Sequence, residues 1–171
     1  MISTARIKKK LYLVVVRYFR IFASASLRRW KPRVIAVTGS VGKTTLLNLL
    51  EVQLGDRAHY SHNANSAYGI AFDILGMDGV RGSKLKWLYL LAAAPIRSLW
   101  FRHRQEFYVV EIDGERPKET EFLASWLRPE VTLWVSVGRT HAVYFDGQVS
   151  QGLFASVDEA IVHEFSFLPK Y

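Results

Sequence analysis

The sequence predicts an α/β fold in which a mostly parallel β-sheet carries helices on both faces. Short apolar segments alternate with segments of helical period along most of the chain, and a glycine-rich turn joins the first apolar segment to a helix. Half of the 171 residues are hydrophobic, which is enough to bury one core. In such folds ligands bind at the carboxyl ends of the strands, so the polar residues that follow each strand are the candidate site residues.

The turn after the first predicted strand has the composition of a phosphate-binding loop. Positions 34–48 read VIAVTGSVGKTTLLN, which is a strand, a glycine-rich loop and the start of a helix. Gly39 and Gly42 let backbone amides point toward one position, where the helix N-terminus adds its positive dipole. Lys43 would reach the terminal phosphates, and the hydroxyl of Thr44 would bind Mg²⁺. The general consensus has glycine where this chain has Val37, so the loop fits only the shorter pattern T-G-x-x-G-K-T-T. The predicted nucleoside triphosphate site comprises Gly39, Ser40, Val41, Gly42, Lys43, Thr44 and Thr45.

Positive charge is concentrated in two segments. Residues 1–33 contain ten Lys and Arg and no acidic residue, and residues 81–104 contain six and none. The rest of the chain has seven basic residues against fifteen acidic ones. Apolar residues recur at helical spacing in both segments. We therefore predict a basic amphipathic helix over residues 1–32 that precedes an α/β domain over residues 33–171.

Two interpretations of the basic helices remain open. Each helix can pack on a protein neighbour with its cations in solvent, or it can lie on an anionic membrane surface. Nucleic acid is not expected as a partner, because neither segment contains a recognised binding module. No segment reaches the ~18 consecutive apolar residues of a membrane-spanning helix. With no cysteine in the chain, a cytoplasmic location is expected, with peripheral association at the inner face of the membrane left open.

The remaining elements alternate between strand and helix. The pattern predicts helices over 44–54, 67–75, 117–126 and 156–168, and strands over 59–61, 107–112 and 131–137. The strands over 107–112 and 131–137 are expected to be buried, because they are almost entirely apolar. The sequence Ser156-Val157-Asp158-Glu159 forms a capping box.

Further polar candidates follow the predicted strands. Glu111 lies at the end of an apolar strand and is well placed to bind Mg²⁺, although a structural ion pair is the alternative. His141 follows the next strand and could be a metal ligand or a hydrogen-bonded structural residue. Asn63 and Asn65 flank a turn and could be site residues or simple helix caps.

Taken in order, these residues resemble the central ATPase domain of the Mur ligases, the enzymes that build the peptide stem of peptidoglycan. The similarity is greatest to the branch that adds D-alanyl-D-alanine to UDP-muramoyl-tripeptide. The T-G-x-x-G-K-T/S loop is followed by Asn63-Ala64-Asn65-Ser66-Ala67-Tyr68-Gly69, by a strand that ends in Glu111, and by a segment from Arg128-Pro129 through Gly138 to His141 and Phe145. The resemblance covers residues 33–164.

The resemblance implies an ATP-dependent carbon–nitrogen ligase. In that reaction ATP phosphorylates a substrate carboxylate, and an amine then displaces phosphate from the acyl phosphate. The implied cofactors are ATP and Mg²⁺, and the implied substrates are a UDP-linked muramoyl peptide and an amino acid or dipeptide. Lys43 and His141 are the implied catalytic residues, with Thr44 and Glu111 at one Mg²⁺ and His141 at a second. Thr45, Asn63 and Asn65 would line the site.

Three departures from the family pattern shape the expectation. The chain reads Glu111-Ile112-Asp113-Gly114 where the family has Glu-x-Gly, which leaves open which carboxylate binds metal. Val162 stands where many members carry a carbamylated lysine. The domains that hold the UDP substrate and the amine do not appear in these residues, so we expect an incomplete ligase that is inactive alone. The alternatives are a stand-alone phosphate-loop NTPase and a non-catalytic nucleotide-binding or membrane-associated module.

Overall fold

The computed structural model describes residues 4–62, 64–79, 84–113, 117–138 and 142–168. Within these residues the protein is α/β, with one four-stranded parallel sheet and seven α-helices. The strands are β1 (Arg33–Thr38), β2 (Ala58–Tyr60), β3 (Phe107–Ile112) and β4 (Val131–Trp134). The helices are α1 (Thr4–Trp30), α2 (Lys43–Leu54), α3 (Ala67–Ile74), α4 (Lys84–Trp100), α5 (Glu119–Leu127), α6 (Asp146–Ser150) and α7 (Val157–Phe165). The predicted fold class is confirmed at this level.

The order of the strands in the sheet is β2-β3-β1-β4, and every neighbouring pair is parallel. Val37 of β1 is in register with Glu111 of β3 and with Leu133 of β4. The carboxyl ends of these three strands therefore lie side by side at one edge of the sheet. Both faces of the central pair are closed to solvent, since β3 is buried at all six positions and only Arg33 of β1 is exposed.

One face of the sheet packs against α2. The core there contains Val37, Val109 and Phe107 from the strands together with Leu47 from α2. Because side chains alternate along a strand, Glu111 lies on the same face as Val109, toward α2. The packing of α2 on this face thus brings the start of the helix next to the end of β3.

The structure corrects the prediction for the fourth strand. β4 ends at Trp134 rather than at Val137, and it is not a buried strand, because Val131 and Trp134 are each 42% exposed. It has one described neighbour, β1, and so lies at an edge of the described sheet. The Val135 amide still donates to the Thr38 carbonyl of β1, and after it Ser136 and Gly138 bond to the loop that follows β1.

The start of α5 also differs from the prediction. The helix begins at Glu119 rather than at Pro117, because Lys118 adopts a left-handed conformation with φ 72° that interrupts a helix. Half of the predicted capping box of α7 is confirmed: Ser156 Oγ accepts a hydrogen bond from the Glu159 amide over 3.2 Å. The Glu159 side chain accepts from the amide of Ala155 rather than from that of Ser156.

The chain forms two compact units. A helical unit contains Met1–Lys31 and Ala67–Arg104, and a sheet unit contains Pro32–Ser66 and Gln105–Tyr171. In the helical unit, Phe19 of α1 packs edge-on against Phe72 of α3, with 4.8 Å between ring centroids. Tyr18 Oη donates to the Leu91 carbonyl of α4 over 2.8 Å. None of the described helices combines the length with the apolar character that crossing a bilayer requires.

Candidate functional site

The loop between β1 and α2 depends on two glycines. Gly39 has φ 139° and Gly42 has φ 86°, both in the region that side chains disfavour. A Cβ atom on Gly39 would lie 2.8 Å from the Ser136 backbone nitrogen and 2.9 Å from its carbonyl oxygen. The loop can therefore approach the segment after β4 only because residue 39 has no side chain.

The segment after β4 holds the loop by hydrogen bonds at both of its central residues. The Ser40 amide donates to the Ser136 carbonyl over 3.1 Å, and the Val41 amide donates to Ser136 Oγ over 2.9 Å. Ser40 Oγ donates to the Gly138 carbonyl and accepts from the Gly138 amide. These bonds fix the loop while occupying two of its amides.

The first turn of α2 is the part of the loop open to an anion. Its N-cap residue is Gly42, and no side chain caps the helix there within the described residues. Val41, Thr44 and Thr45 are exposed at this end. Uncapped amides and the positive end of the helix dipole favour an anion at this position.

Lys43 lies across the mouth of the loop. Its Nζ donates to the Gly39 carbonyl over 2.7 Å and is 3.0 Å from Asp113 Oδ1. Both side chains are largely buried, with 11% and 9% exposed. The ammonium group is therefore held at the loop by a carboxylate, in a position where a phosphate oxygen could replace that carboxylate as its partner.

Thr44 and Glu111 form the second polar contact. Thr44 Oγ1 donates to Glu111 Oε2 over 3.0 Å. Burial raises the pKa of Glu111, and the charge of Asp113 raises it further, whereas the bond from Thr44 and the charges of Lys43 and His62 lower it. Neighbouring ligands of an octahedral Mg²⁺ with bonds of about 2.0–2.1 Å lie about 2.9 Å apart. The two oxygens, which are hydrogen-bonded to each other here, would therefore need little movement to bind one Mg²⁺.

Asp113 connects the site to the turn after β2. The Asn65 side-chain amide donates to Asp113 Oδ2, and the Asp113 backbone amide donates to the Asn65 carbonyl over 3.2 Å. The structure thus places Asn65 at the site through Asp113. Asn63 and His141 lie outside the described residues.

An apolar wall closes a small cavity beside the Lys43–Asp113 pair. Phe145, Ile161 and Phe165 form a buried cluster with Ala160. The cavity is lined by Gly39, Ser40, Lys43, Asp113, Gly138, Phe145, Ile161 and Phe165. An apolar boundary of this kind lowers the local dielectric and strengthens charge interactions at the loop.

Glu164 is a buried carboxylate that binds backbone amides at the start of α5. Its two carboxylate oxygens accept from the backbone amides of Lys118 and Thr120, each over 2.9 Å. Val162 on the same helix is 49% exposed. Across the described part of the chain, no group of three or more His, Asp and Glu residues is arranged to hold a metal ion. This finding is compatible with Mg²⁺, which is held by one or two carboxylates together with substrate phosphates.

Sequence reasoning gave Asp113 a different role and missed Ser136. The segment Glu111-Ile112-Asp113-Gly114 offered Asp113 only as an alternative metal carboxylate, whereas the structure pairs it with Lys43. Asp113 follows the last residue of β3, and its position opposite Lys43 depends on the register between β1 and β3. The contact of Ser136 with the loop has no signal in the sequence, because it joins segments about 95 residues apart.

The site lies where ligands bind in open α/β sheets. β1 and β3 are neighbours, but the chain leaves β1 toward β2 and leaves β3 toward β4, on opposite sides of the pair. Such a reversal opens a crevice at the carboxyl ends of the strands. No protein-family model matches this chain, and no solved structure matches it significantly.

Proposed function

We propose that the sheet unit binds ATP with Mg²⁺ at the loop between β1 and α2, as a phosphate-loop NTPase does. The observation that carries the proposal is the convergence of Lys43, Thr44, Glu111 and Asp113 at the adjacent ends of β1 and β3. One cation, one hydroxyl and two carboxylates beside an uncapped helix N-terminus are the groups that bind a magnesium triphosphate.

Each group has a distinct role in this proposal. Lys43 exchanges Asp113 for the terminal phosphates, and the amides of the first turn of α2 bind the same oxygens. Thr44 and Glu111 hold Mg²⁺, which neutralises charge on the phosphates. The contact between Glu111 and Thr44 favours Glu111 over Asp113 as the metal carboxylate, because Asp113 is already paired with Lys43 and Asn65.

At finer detail, we propose that the chain is the central domain of a Mur-type ligase of peptidoglycan precursor synthesis in the cytoplasm. Its reaction would join a UDP-linked muramoyl peptide to an amino acid or dipeptide through an acyl phosphate. The order of the motifs supports this, as does the position of Asn65 against Asp113, which ties the asparagine segment to the phosphate loop. His141 would serve a second Mg²⁺.

A second candidate is a nucleotide-binding module without ligase activity. The observation in its favour is Val162, an aliphatic side chain at the position where the resemblance implies a metal-bridging carbamylated lysine. A module of this kind would retain Mg²⁺-dependent ATP binding, but phosphate release would not respond to substrates.

Titration with a fluorescent ATP analogue tests the binding proposal. Lys43→Ala should weaken binding by about 2–4 kcal/mol, because it removes a charge-assisted contact to phosphate. Lys86→Ala, a lysine-to-alanine change at an exposed position of α4, is the matched control and should bind as the wild type does. Equal affinity of the Lys43→Ala variant and the wild type would refute the site.

Phosphate release separates the two candidate functions. The assay adds UDP-muramoyl-tripeptide and D-alanyl-D-alanine, singly and together, to the wild-type chain with MgATP. Stimulation by the substrates supports the ligase. Tight MgATP binding without stimulation, in this chain and in any longer product of the same gene, supports the binding module.

A further inference from the structure

Helix α4 is apolar on two opposite sides. Its inner side is buried through Leu90 and Ala94. Its outer side is exposed, and the described residues along it from Leu88 onward are apolar: Leu88, Tyr89, Ile96 and Leu99 are 60–64% exposed and Trp100 is 81% exposed, with exposed Ala92 between them. Leu88, Ala92, Ile96 and Leu99 follow each other at helical spacing along one line. The outer side of a helix in water is normally polar, so this side is suited to an apolar environment.

The outer side of α1 alternates apolar and cationic side chains. Val14, Arg17, Ile21 and Arg28 are all exposed, and helical geometry places them opposite Phe19. An open groove on this side is lined by Arg17, Arg20, Ile21, Ser24 and Arg28. Burial, and then the charge of Arg17, lower the pKa of Arg20, as expected where cations lie close together. The groove therefore favours an anion.

The inner sides of α1 and α4 meet in one aromatic cluster. Phe19 of α1 contacts Trp87 of α4, with 6.3 Å between ring centroids, and both contact Phe72 of α3, at centroid distances of 4.8 and 6.2 Å. The outer sides of both helices point away from this cluster. We name the residues on these outer sides the outer helical surface: Val14, Arg17, Ile21 and Arg28 of α1, and Leu88, Tyr89, Ala92, Ile96, Leu99 and Trp100 of α4.

Charge is strongly segregated between the two units. The helical unit has fifteen Lys and Arg against two Asp, and the sheet unit has eight Lys and Arg against thirteen Asp and Glu. Neither α1 nor α4 contains an acidic residue. The outer helical surface is therefore complementary to a surface that is negatively charged outside and apolar beneath.

We propose that the outer helical surface binds an anionic phospholipid membrane, with α4 lying in the plane of its interface and the arginines of α1 beside it at the level of the head groups. The arginines contact lipid phosphates, and the apolar side chains of α4 enter the boundary between head groups and acyl chains. α4 has 17 residues and is about 25 Å long, which gives a continuous apolar contact. The inference is independent of the nucleotide site.

A lipid surface fits better than a second copy of the chain. In a symmetric dimer the same patch would face itself, which would bring Arg17 and Arg28 of both copies together. Like charges at a desolvated contact disfavour that arrangement, whereas anionic head groups neutralise them. Dimerisation through this surface is therefore an outcome that would contradict the proposal.

Vesicle co-sedimentation of the full chain is the first test. Vesicles of phosphatidylcholine with phosphatidylglycerol should bind the chain at least tenfold more tightly than vesicles of phosphatidylcholine alone. Binding should weaken with added salt, because exposed charges are screened. Equal binding to the two kinds of vesicle, or binding to neither, would overturn the proposal.

Matched double variants separate the charge from the apolar contact. Arg17→Gln with Arg28→Gln should weaken anionic vesicle binding about 10–30-fold, or about fivefold for each arginine. Arg57→Gln with Arg128→Gln removes the same charge from exposed positions of the sheet unit and should change binding less than twofold. Ile96→Ser with Leu99→Ser should weaken binding more than tenfold, whereas Val52→Ser with Val143→Ser, at exposed positions of the sheet unit, should have no such effect.

Tryptophan emission provides a measurement on the unmodified chain. Lipids with brominated acyl chains should quench the emission of wild-type protein, and Trp100→Phe should remove most of that quenching, because Trp100 is the most exposed of the described apolar side chains on α4. Quenching that is unchanged in Trp100→Phe would overturn the proposal. So would a loss of binding that is equal in the test and control variants, or a dimer that Ile96→Ser with Leu99→Ser dissociates while vesicle binding is unchanged.

Discussion

Gly39 shows how a single missing side chain shapes the loop. Alanine at this position would have to adopt φ 139° and place its Cβ 2.8 Å from a backbone atom of Ser136. We expect Gly39→Ala to destabilise the protein by about 1–3 kcal/mol through backbone strain, and to weaken ATP binding as the loop moves away from Ser136. Urea denaturation and nucleotide titration measure the two effects.

Gly147→Ala is the matched control for that experiment. Gly147 is in α6 and does not have a positive φ, and a Cβ added to it would meet no atom within 4 Å. The substitution should leave ATP binding unchanged, and the restricted unfolded chain should keep or slightly raise stability. If the two variants had the same stability and the same affinity for ATP, the close approach of Gly39 to Ser136 would not matter for function.

Glu111 allows metal binding and stability to be separated. Because burial raises its pKa, the charged carboxylate is unfavourable in the folded protein, and a neutral isostere relieves that cost. We expect Glu111→Gln to melt at the same or a higher temperature than the wild type while its Mg²⁺-dependent ATP binding falls by about 2 kcal/mol. Thermal melts and Mg²⁺ titrations check this. Parallel losses of stability and binding would instead indicate a structural role.

At the scale of single residues, the sequence predicts the site residues that have a characteristic type and spacing. It misses the contacts that depend on how distant segments pack. The glycine-rich loop before α2 and the carboxylate Glu111 follow from residue types at fixed spacing after apolar strands. The pairing of Lys43 with Asp113 depends on the register between β1 and β3, which the sequence does not state.

Among the secondary-structure elements, the start of α5 is held by hydrogen bonds to a residue on another helix. Glu164 of α7 accepts from the amides of Lys118 and Thr120, and burial raises its pKa despite these bonds. Glu164→Gln offers one acceptor oxygen for two amides, so it should destabilise the protein by about 1–3 kcal/mol. Urea denaturation measures the difference.

The pH dependence of that difference has a definite sign. Since the folded-state pKa of Glu164 is raised, its contribution to stability is full below the unfolded pKa and is lost as pH rises through the folded pKa. The gap between wild type and Glu164→Gln should therefore widen as pH falls from neutrality toward the ordinary glutamate range. Val162→Ala, at a half-exposed position of the same helix, should show no such trend.

The elements that the sequence predicts best are those with continuous apolar runs. β1, β3 and α2 lie where the sequence pattern predicts them. The two strands are continuous buried segments, and α2 ends at Gly55. β4 is apolar yet exposed, and α5 starts two residues late. The first departure follows from the position of β4 at the edge of the described sheet, and the second from the contact of Lys118 with Glu164; local patterns contain neither.

For the whole molecule, we expect nucleotide binding to raise the melting temperature. A ligand at about 100 times its Kd adds about 2.7 kcal/mol to the folded state, which corresponds to a rise in Tm of about 5–11 °C for a chain of this size. We expect MgATP at the same concentration to raise the melting temperature of the wild type and to raise that of Lys43→Ala by at most about a third as much. A rise of the same size in both would indicate binding away from the loop.

The arrangement of the helices is the part of the architecture that the sequence leaves most open. It predicts two basic helical segments, but it does not predict that they pack with each other and with α3. That packing depends on aromatic contacts such as Phe19 with Phe72, between residues 53 positions apart. Hydrophobic period identifies which side of a helix is buried and does not identify the partner.

The bonds from Ser136 and Gly138 to the loop have a consequence for biosynthesis. They join residues 95 and 98 positions apart, so the loop emerges from the ribosome long before the segment that shapes it. At about 5–20 residues per second, that interval lasts about 5–20 seconds. During it, the nascent chain contains every residue of the glycine turn and lacks the backbone that positions it. Nucleotide should therefore bind the completed fold and should not assist the folding of the nascent chain. Until β4 is synthesised, the apolar strands β1 and β3 must be protected by each other or by a chaperone.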